Sequence, residues 1–208
     1  MEWANFPNVA VVDGIVLVGE AHGYQESRRL VERVVEYYEP QVIGLESTPL
    51  RMKLIEKGGM SAAKLWAEQN GYPCATLDAR TRTLTAALPP GISFSEYLEV
   101  ANAPQSAVEG SGRMPFSAIF EARRRVCQEF GERAFRVLYE FRESQMARRL
   151  KALQSQFEPP VVAVVGAFHV PWIADELQNR QGGYIEDKRI KVPVKNESIT
   201  HGFGSHSV

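Results

Sequence analysis

The chain predicts an α/β fold, a single domain on a mostly parallel central sheet flanked by helices. Three observations predict it. Short β-branched apolar runs at Ile15 to Val18, Val42 to Leu45 and Val161 to Val165 have the length and composition of buried strands. Segments of helical period alternate with them, and strand–helix–strand order implies parallel strands joined by right-handed crossovers. Two of the runs also end in the same pattern, Gly19-Glu20-Ala21-His22 and Gly166-Ala167-Phe168-His169. Open α/β sheets bind ligands beyond the carboxyl ends of their strands, so a repeated glycine turn and histidine there marks a candidate site.

The elements follow in order. Asp13-Gly14 between Val-rich runs predicts a hairpin or paired strands over residues 8–18. Leu30, Val31, Val34 and Val35 recur at helical spacing between Glu26 and Tyr38, and Pro40 closes that helix. Val42 to Leu45 is the next strand, a helix covers Met60 to Gly71, and Pro73 to Leu77 is a strand ending at Asp78. Leu88 to Pro115, rich in Pro, Gly, Ser and Ala, is an irregular excursion with a short helix near Phe94 to Val100, placed to form a lid or rim.

Ser117 to Phe157 is helical, broken at Gly131 and ended by Pro159-Pro160. Its inward stripe is Phe130, Ala134, Val137, Leu138, Phe141, Met146, Leu150, Leu153 and Phe157, with Arg142 on or beside it. Ile190 to Val194 is an expected edge strand. The domain is expected to occupy residues 1–199, with residues 200–208 a mobile polar tail that carries His201 and His206.

Composition narrows the function. A formal net charge of −1 offers no electrostatic footprint for nucleic acid or an anionic membrane. Cys74 and Cys127 are the only cysteines and lack a C-x-x-C spacing, which suits free thiols in a reducing cytoplasm. Apolar runs are strand-length, well short of the roughly 20 residues of a membrane helix, and Met1 to Pro7 has no signal-peptide character. The expectation is a cytoplasmic protein without stable membrane insertion, acting on a peptide or small-molecule substrate. Its oligomeric state is left open.

Parallel strands would bring His22, Glu46, Asp78 and His169 to one rim of the sheet, with Glu20 beside them. Gly19 and Gly166 would let backbone and ligand approach closely. Neighbouring strands are about 4.8 Å apart, so His22, His169 and Glu46 can converge on a divalent transition metal such as Zn, Mn, Co or Fe, leaving a position for water. Plainer readings stand beside these. Each histidine can be a structural hydrogen-bonding residue, Glu46 a helix cap or solvated carboxylate, and Asp78 the cap of a following helix. Arg142 in an apolar stripe needs a carboxylate partner such as Glu46. By propensity Glu143 reads as surface, and Arg123-Arg124-Arg125 as a solvated helix face.

These residues together resemble the TraB/PrgY family, related to GumN and Tiki proteins and, remotely, to erythromycin esterases and ChaN-like proteins. The likeness rests on Gly19 to His22, Gly44-Leu45-Glu46, Arg142-Glu143-Ser144-Gln145-Met146-Ala147 and Gly166 to His169, in that order. Asp78-Ala79-Arg80 with Thr83-Leu84 is similar to the family's D-R…T-L stretch, and Gly19 to Gly23 is similar to the esterases' G-E-x-x-H-G with one residue fewer. The likeness spans residues 15–173, and Glu143 stands where the family has Asp or Asn. It implies an esterase- or ChaN-like α/β fold with its site at one sheet edge and, for Tiki-like members, metal-dependent proteolysis by the paired histidines.

The leading expectation is a metal-dependent hydrolase of an amide or ester bond. His22, His169 and Glu46 would hold the ion, Glu46 or Glu20 would act as base, and Arg142 would hold a carboxylate or an oxyanion. The alternatives are a metal-independent His/Glu hydrolase and a non-catalytic regulatory module that binds a metal, haem or peptide. A nucleotide-binding protein is a weaker fit, since Gly19 to Gly23 lacks the full glycine fingerprint.

Overall fold

The Asp13-Gly14 step adopts the positive φ values, 48° and 79°, that a tight hairpin demands. It folds β1 (Val9–Val12) antiparallel onto β2 (Ile15–Glu20). In this computed structural model the described residues are 8–21, 25–48, 52, 58–79, 84–86, 88–93, 95–97, 99 and 116–179. After β2 come α1 (Gln25–Tyr38), β3 (Ile43–Leu45), α2 (Gly58–Asn70) and β4 (Cys74–Thr76). Then α3 (Phe116–Phe135) leads through a π-helical segment (Arg136–Phe141) into α4 (Arg142–Gln154), β5 (Val161–Gly166) and α5 (Val170–Asn179).

The sheet is mixed. Its order is β1-β2-β5-β3-β4, with β1 antiparallel at one edge and the other four strands parallel. β2 and β5 are neighbours in a register that sets Gly19 opposite Val165 and Glu20 opposite Gly166. The two recurrent patterns therefore begin side by side. An added Cβ at Gly19 would lie 2.9 Å from the Ala167 Cα, so glycine is what allows the two turns to touch.

Helices cover both faces, which is why β2 and β5 are apolar along their length rather than alternating. Val16, Val18, Ile43, Leu45, Val162 and Val164 pack under α1 and α2. Ile15, Leu17, Val161, Ala163 and Val165 pack under α4 and α5 through Met146, Leu150, Leu153 and Ile173. A third apolar cluster lies past the carboxyl ends of the strands. There Ala21, Ala79, Leu84 and Ala167 meet Leu88 and Tyr97 of the excursion and Ile119, Val126, Phe130, Leu138 and Tyr139. Leu88 and Tyr97 thus pack over the strand ends, and residues 100–115 of the excursion lie outside the described residues.

One part of the helical stripe is corrected. Phe141 is 38% exposed while Tyr139 is buried, because the π-helical turn holds more residues than an α turn and rotates every following position. Gly131 breaks the helical path at φ 82°, as expected. His22, the strand over 190–194, the tail 200–208, His201 and His206 lie outside the described residues. No described helix is long and apolar enough to cross a membrane.

Candidate active site

Each parallel strand delivers one polar group to the roofed end of the sheet. Beyond β3 the backbone continues in register, Glu46 donating its N–H to the Val164 carbonyl and Asp78 to that of Ser47. Glu46 is thereby set at the end of β5 and Asp78 at the end of β4. Arg149 of α4 pins the latter by donating to the Asp78 carbonyl at 2.5 Å.

Arg142, the first residue of α4, joins the two carboxylates. Its Nε and one terminal nitrogen donate side-on to both Asp78 oxygens at 2.9 Å, and that same nitrogen donates to Glu46 Oε1 at 2.5 Å. The other terminal nitrogen donates to the Leu138 carbonyl at 3.3 Å. Burial alone would lower the proton affinity of Arg142, but Asp78 and Glu46 outweigh it and hold the guanidinium well above its ordinary value. Asp78 is therefore the arginine's buried counter-ion, and its bond from the Ala79 N–H at 2.7 Å is a local addition.

Glu46 Oε2 accepts the Gly166 N–H at 2.5 Å. A Cβ at Gly166 would sit 3.2 Å from that oxygen, so glycine leaves the carboxylate room. Three residues on, His169 ends the turn and opens α5, with its carbonyl accepting the Ile173 N–H. The imidazole Nδ1 is 2.8 Å from Glu143 Oε1, and Nε2 faces Glu46 Oε1 at 3.5 Å.

Glu143 is corrected from surface to buried, and so is Arg123. Arg123 donates to both Glu143 oxygens, at 2.5 and 3.3 Å, and only Arg124 and Arg125 form the expected solvated face, paired with Glu121. The sequence did carry a signal: Ile119, Arg123, Val126 and Phe130 share one helical stripe, so Arg123 points where its apolar neighbours point. Tyr97 and Tyr139 close the roof. Burial raises both phenols, although Arg142 pulls the other way on each, and they stay neutral at ordinary pH.

Glu20 has another task. Its two oxygens accept the N–H groups of Gly59 and Met60, at 2.7 and 3.0 Å, so it caps the N-terminus of α2 from the end of β2. That engagement does not support a role as base.

The donor set also bears on the expected metal. Glu46 has one oxygen on a guanidinium and the other on a backbone N–H, and His169 Nδ1 is committed to Glu143. Among the described residues no three His, Cys, Asp or Glu groups assemble as metal donors. A dication at Glu46 would stand beside the Arg142 charge, and His22, the other expected ligand, lies outside the described residues. Comparison of the chain with family models, with curated proteins and with solved structures finds no match.

Proposed function

We propose that this chain is a hydrolase of an amide or ester bond in a peptide or small-molecule substrate, with the imidazole of His169 as general base. The observation that carries the reading is the placement of that ring between two carboxylates, the buried Glu143 at Nδ1 and the half-buried Glu46 opposite Nε2. Glu143 accepts a hydrogen bond from Nδ1–H, which keeps that proton on Nδ1 and leaves the Nε2 lone pair to take a proton from an attacking water. Glu46, 3.5 Å away, stabilises the imidazolium that forms. Arg142 and Asp78 hold Glu46 in place. Of the hydrolytic readings this is the metal-independent His/Glu one, with His169 as its histidine.

The TraB/PrgY assignment and an esterase- or ChaN-like fold belong to the same proposal. The contact between the two glycine turns and the convergence of Glu46, Arg142, Glu143 and His169 support it.

A panel of ester and peptide substrates tests the reading, run on wild type, His169→Ala and Glu143→Gln with and without a strong chelator. Turnover that survives chelation and is lost in His169→Ala is the expected result. Turnover abolished by chelation and restored by a divalent ion would replace it with the metal-dependent mechanism. No turnover would favour a binding module.

A further inference from the structure

We infer that Arg123 is a positioning residue of this site, acting on His169 through Glu143; the inference rests on the proposed role of His169. Three observations carry it. The Arg123 guanidinium is buried in an aromatic cage, 3.6 Å from the Trp172 ring centroid, 4.6 Å from that of Tyr139 and 5.1 Å from that of Phe135. Aromatic faces attract a cation but cannot accept its N–H groups in the plane of the fork, so a carboxylate must. Glu143 fills that need with both oxygens. Lastly, Glu143 Oε1 is the very atom that faces His169 Nδ1.

The consequence is geometric. A glutamate side chain has three rotatable bonds, and one hydrogen bond to a histidine leaves it free to swing. The arginine fork clamps the carboxylate plane, and Trp172 clamps the fork. Trp172 belongs to α5, the helix that His169 opens, so the nearest wall of the cage is carried by the same element as the imidazole. With Glu143 Oε1 fixed 2.8 Å from Nδ1 and Glu46 Oε1 no nearer than 3.5 Å to Nε2, the closer acceptor holds the ring proton on Nδ1 and leaves Nε2 as the base. Sequence distance hides this relation, since Arg123 lies on α3, Glu143 on α4 and Trp172 on α5.

Long-range nitrogen–proton NMR of the full-length protein tests the inference, with the His169 signals assigned by their loss in His169→Gln and read on the neutral imidazole. Wild type should show the Nδ1–H tautomer. Arg123→Met should show a mixture with Nε2–H, and Arg123→Lys, which keeps the charge but not the fork, should fall between. If Arg123→Met does not fold, Trp172→Leu, which loosens the clamp while keeping the arginine, should show the same change at smaller amplitude. On a substrate that wild type turns over, Arg123→Met should lower kcat by about 10- to 100-fold with KM little changed. A folded Arg123→Met, or a folded Trp172→Leu in its place, with the wild-type tautomer overturns the inference. The tautomer is read without substrate, so a protein that hydrolyses nothing but shows the expected change would refute the proposed hydrolysis and leave the positioning role standing.

Discussion

Arg142 and Glu143 are consecutive in the chain, both are buried, and each serves a different partner set. The guanidinium of Arg142 turns toward Asp78 and Glu46, and the carboxylate of Glu143 turns toward Arg123 and His169. Successive helix positions point about 100° apart, so two adjacent charged residues can both be buried only where a helix is enclosed on two sides. The start of α4 meets that condition, with the sheet ends on one side and α3 and α5 on the other.

Glu143→Gln should damage activity and stability together, because it also leaves the buried Arg123 guanidinium without its anion, at a cost of about 3–5 kcal/mol. The amide can donate to His169 Nδ1 and so impose the wrong tautomer, as asparagine does in a serine-protease triad. A loss of about 100- to 10,000-fold in kcat is expected, read by steady-state kinetics on the best substrate of the panel. An activity within a few-fold of wild type would remove Glu143 from the mechanism.

Arg142→Met should be felt first in stability. It strands the buried Asp78 and the half-buried Glu46 as uncompensated carboxylates, and the cost of breaking such a buried pair is about 3–5 kcal/mol. Urea unfolding should show it as a lower midpoint. Adding Asp78→Asn to Arg142→Met should recover part of the loss, and a purely additive double mutant would show that the two do not interact.

Gly58→Ala probes the cap that Glu20 provides. Gly58 has φ +83°, and an added Cβ would run into the Glu20 carboxylate. A loss of roughly 1–3 kcal/mol of stability is expected, with catalytic constants of the remaining folded protein unchanged. A large fall in kcat at full stability would return Glu20 to the list of candidate bases.

Alkaline pH should expose Cys74. Burial, and secondarily Glu68, pushes its thiol from 9.0 up to about 12. A group raised on folding contributes stability that is complete below its unfolded value and disappears as pH climbs to the folded one. Between pH 9 and pH 12 the wild type should thus lose more stability than Cys74→Ala, as measured by urea midpoints across that range. Parallel curves would mean that the thiol ionises as freely folded as unfolded.

Much of the fold was legible because period and punctuation are local. Val161 to Val165 could only be a doubly covered strand, Asp13-Gly14 a hairpin, and Leu30 to Val35 the inner face of a helix. The candidate site was half legible. Glu46, Asp78 and His169 were read to one rim from strand order, and the pairing of Arg142, placed by its helical stripe, with Glu46 from the need of a buried cation for an anion. Glu143 and Arg123 were misread as surface. Charged residues are usually exposed, and nothing in the numbering from 123 to 143 reveals that α3 turns back over α4.

Sequence alone determined the α/β class, the strand ends and the residue types available there, since these follow from side-chain period and backbone sterics. The tertiary structure decided which of those groups meet. It inserted β5 between β2 and β3, rotated α4 through a π-helical turn so that Arg142 and Glu143 both face inward, and assigned Glu20 to a helix cap. Partner choice among buried charges depends on distances of a few ångströms between segments remote in the chain. Only the packing of helices against the sheet sets those distances.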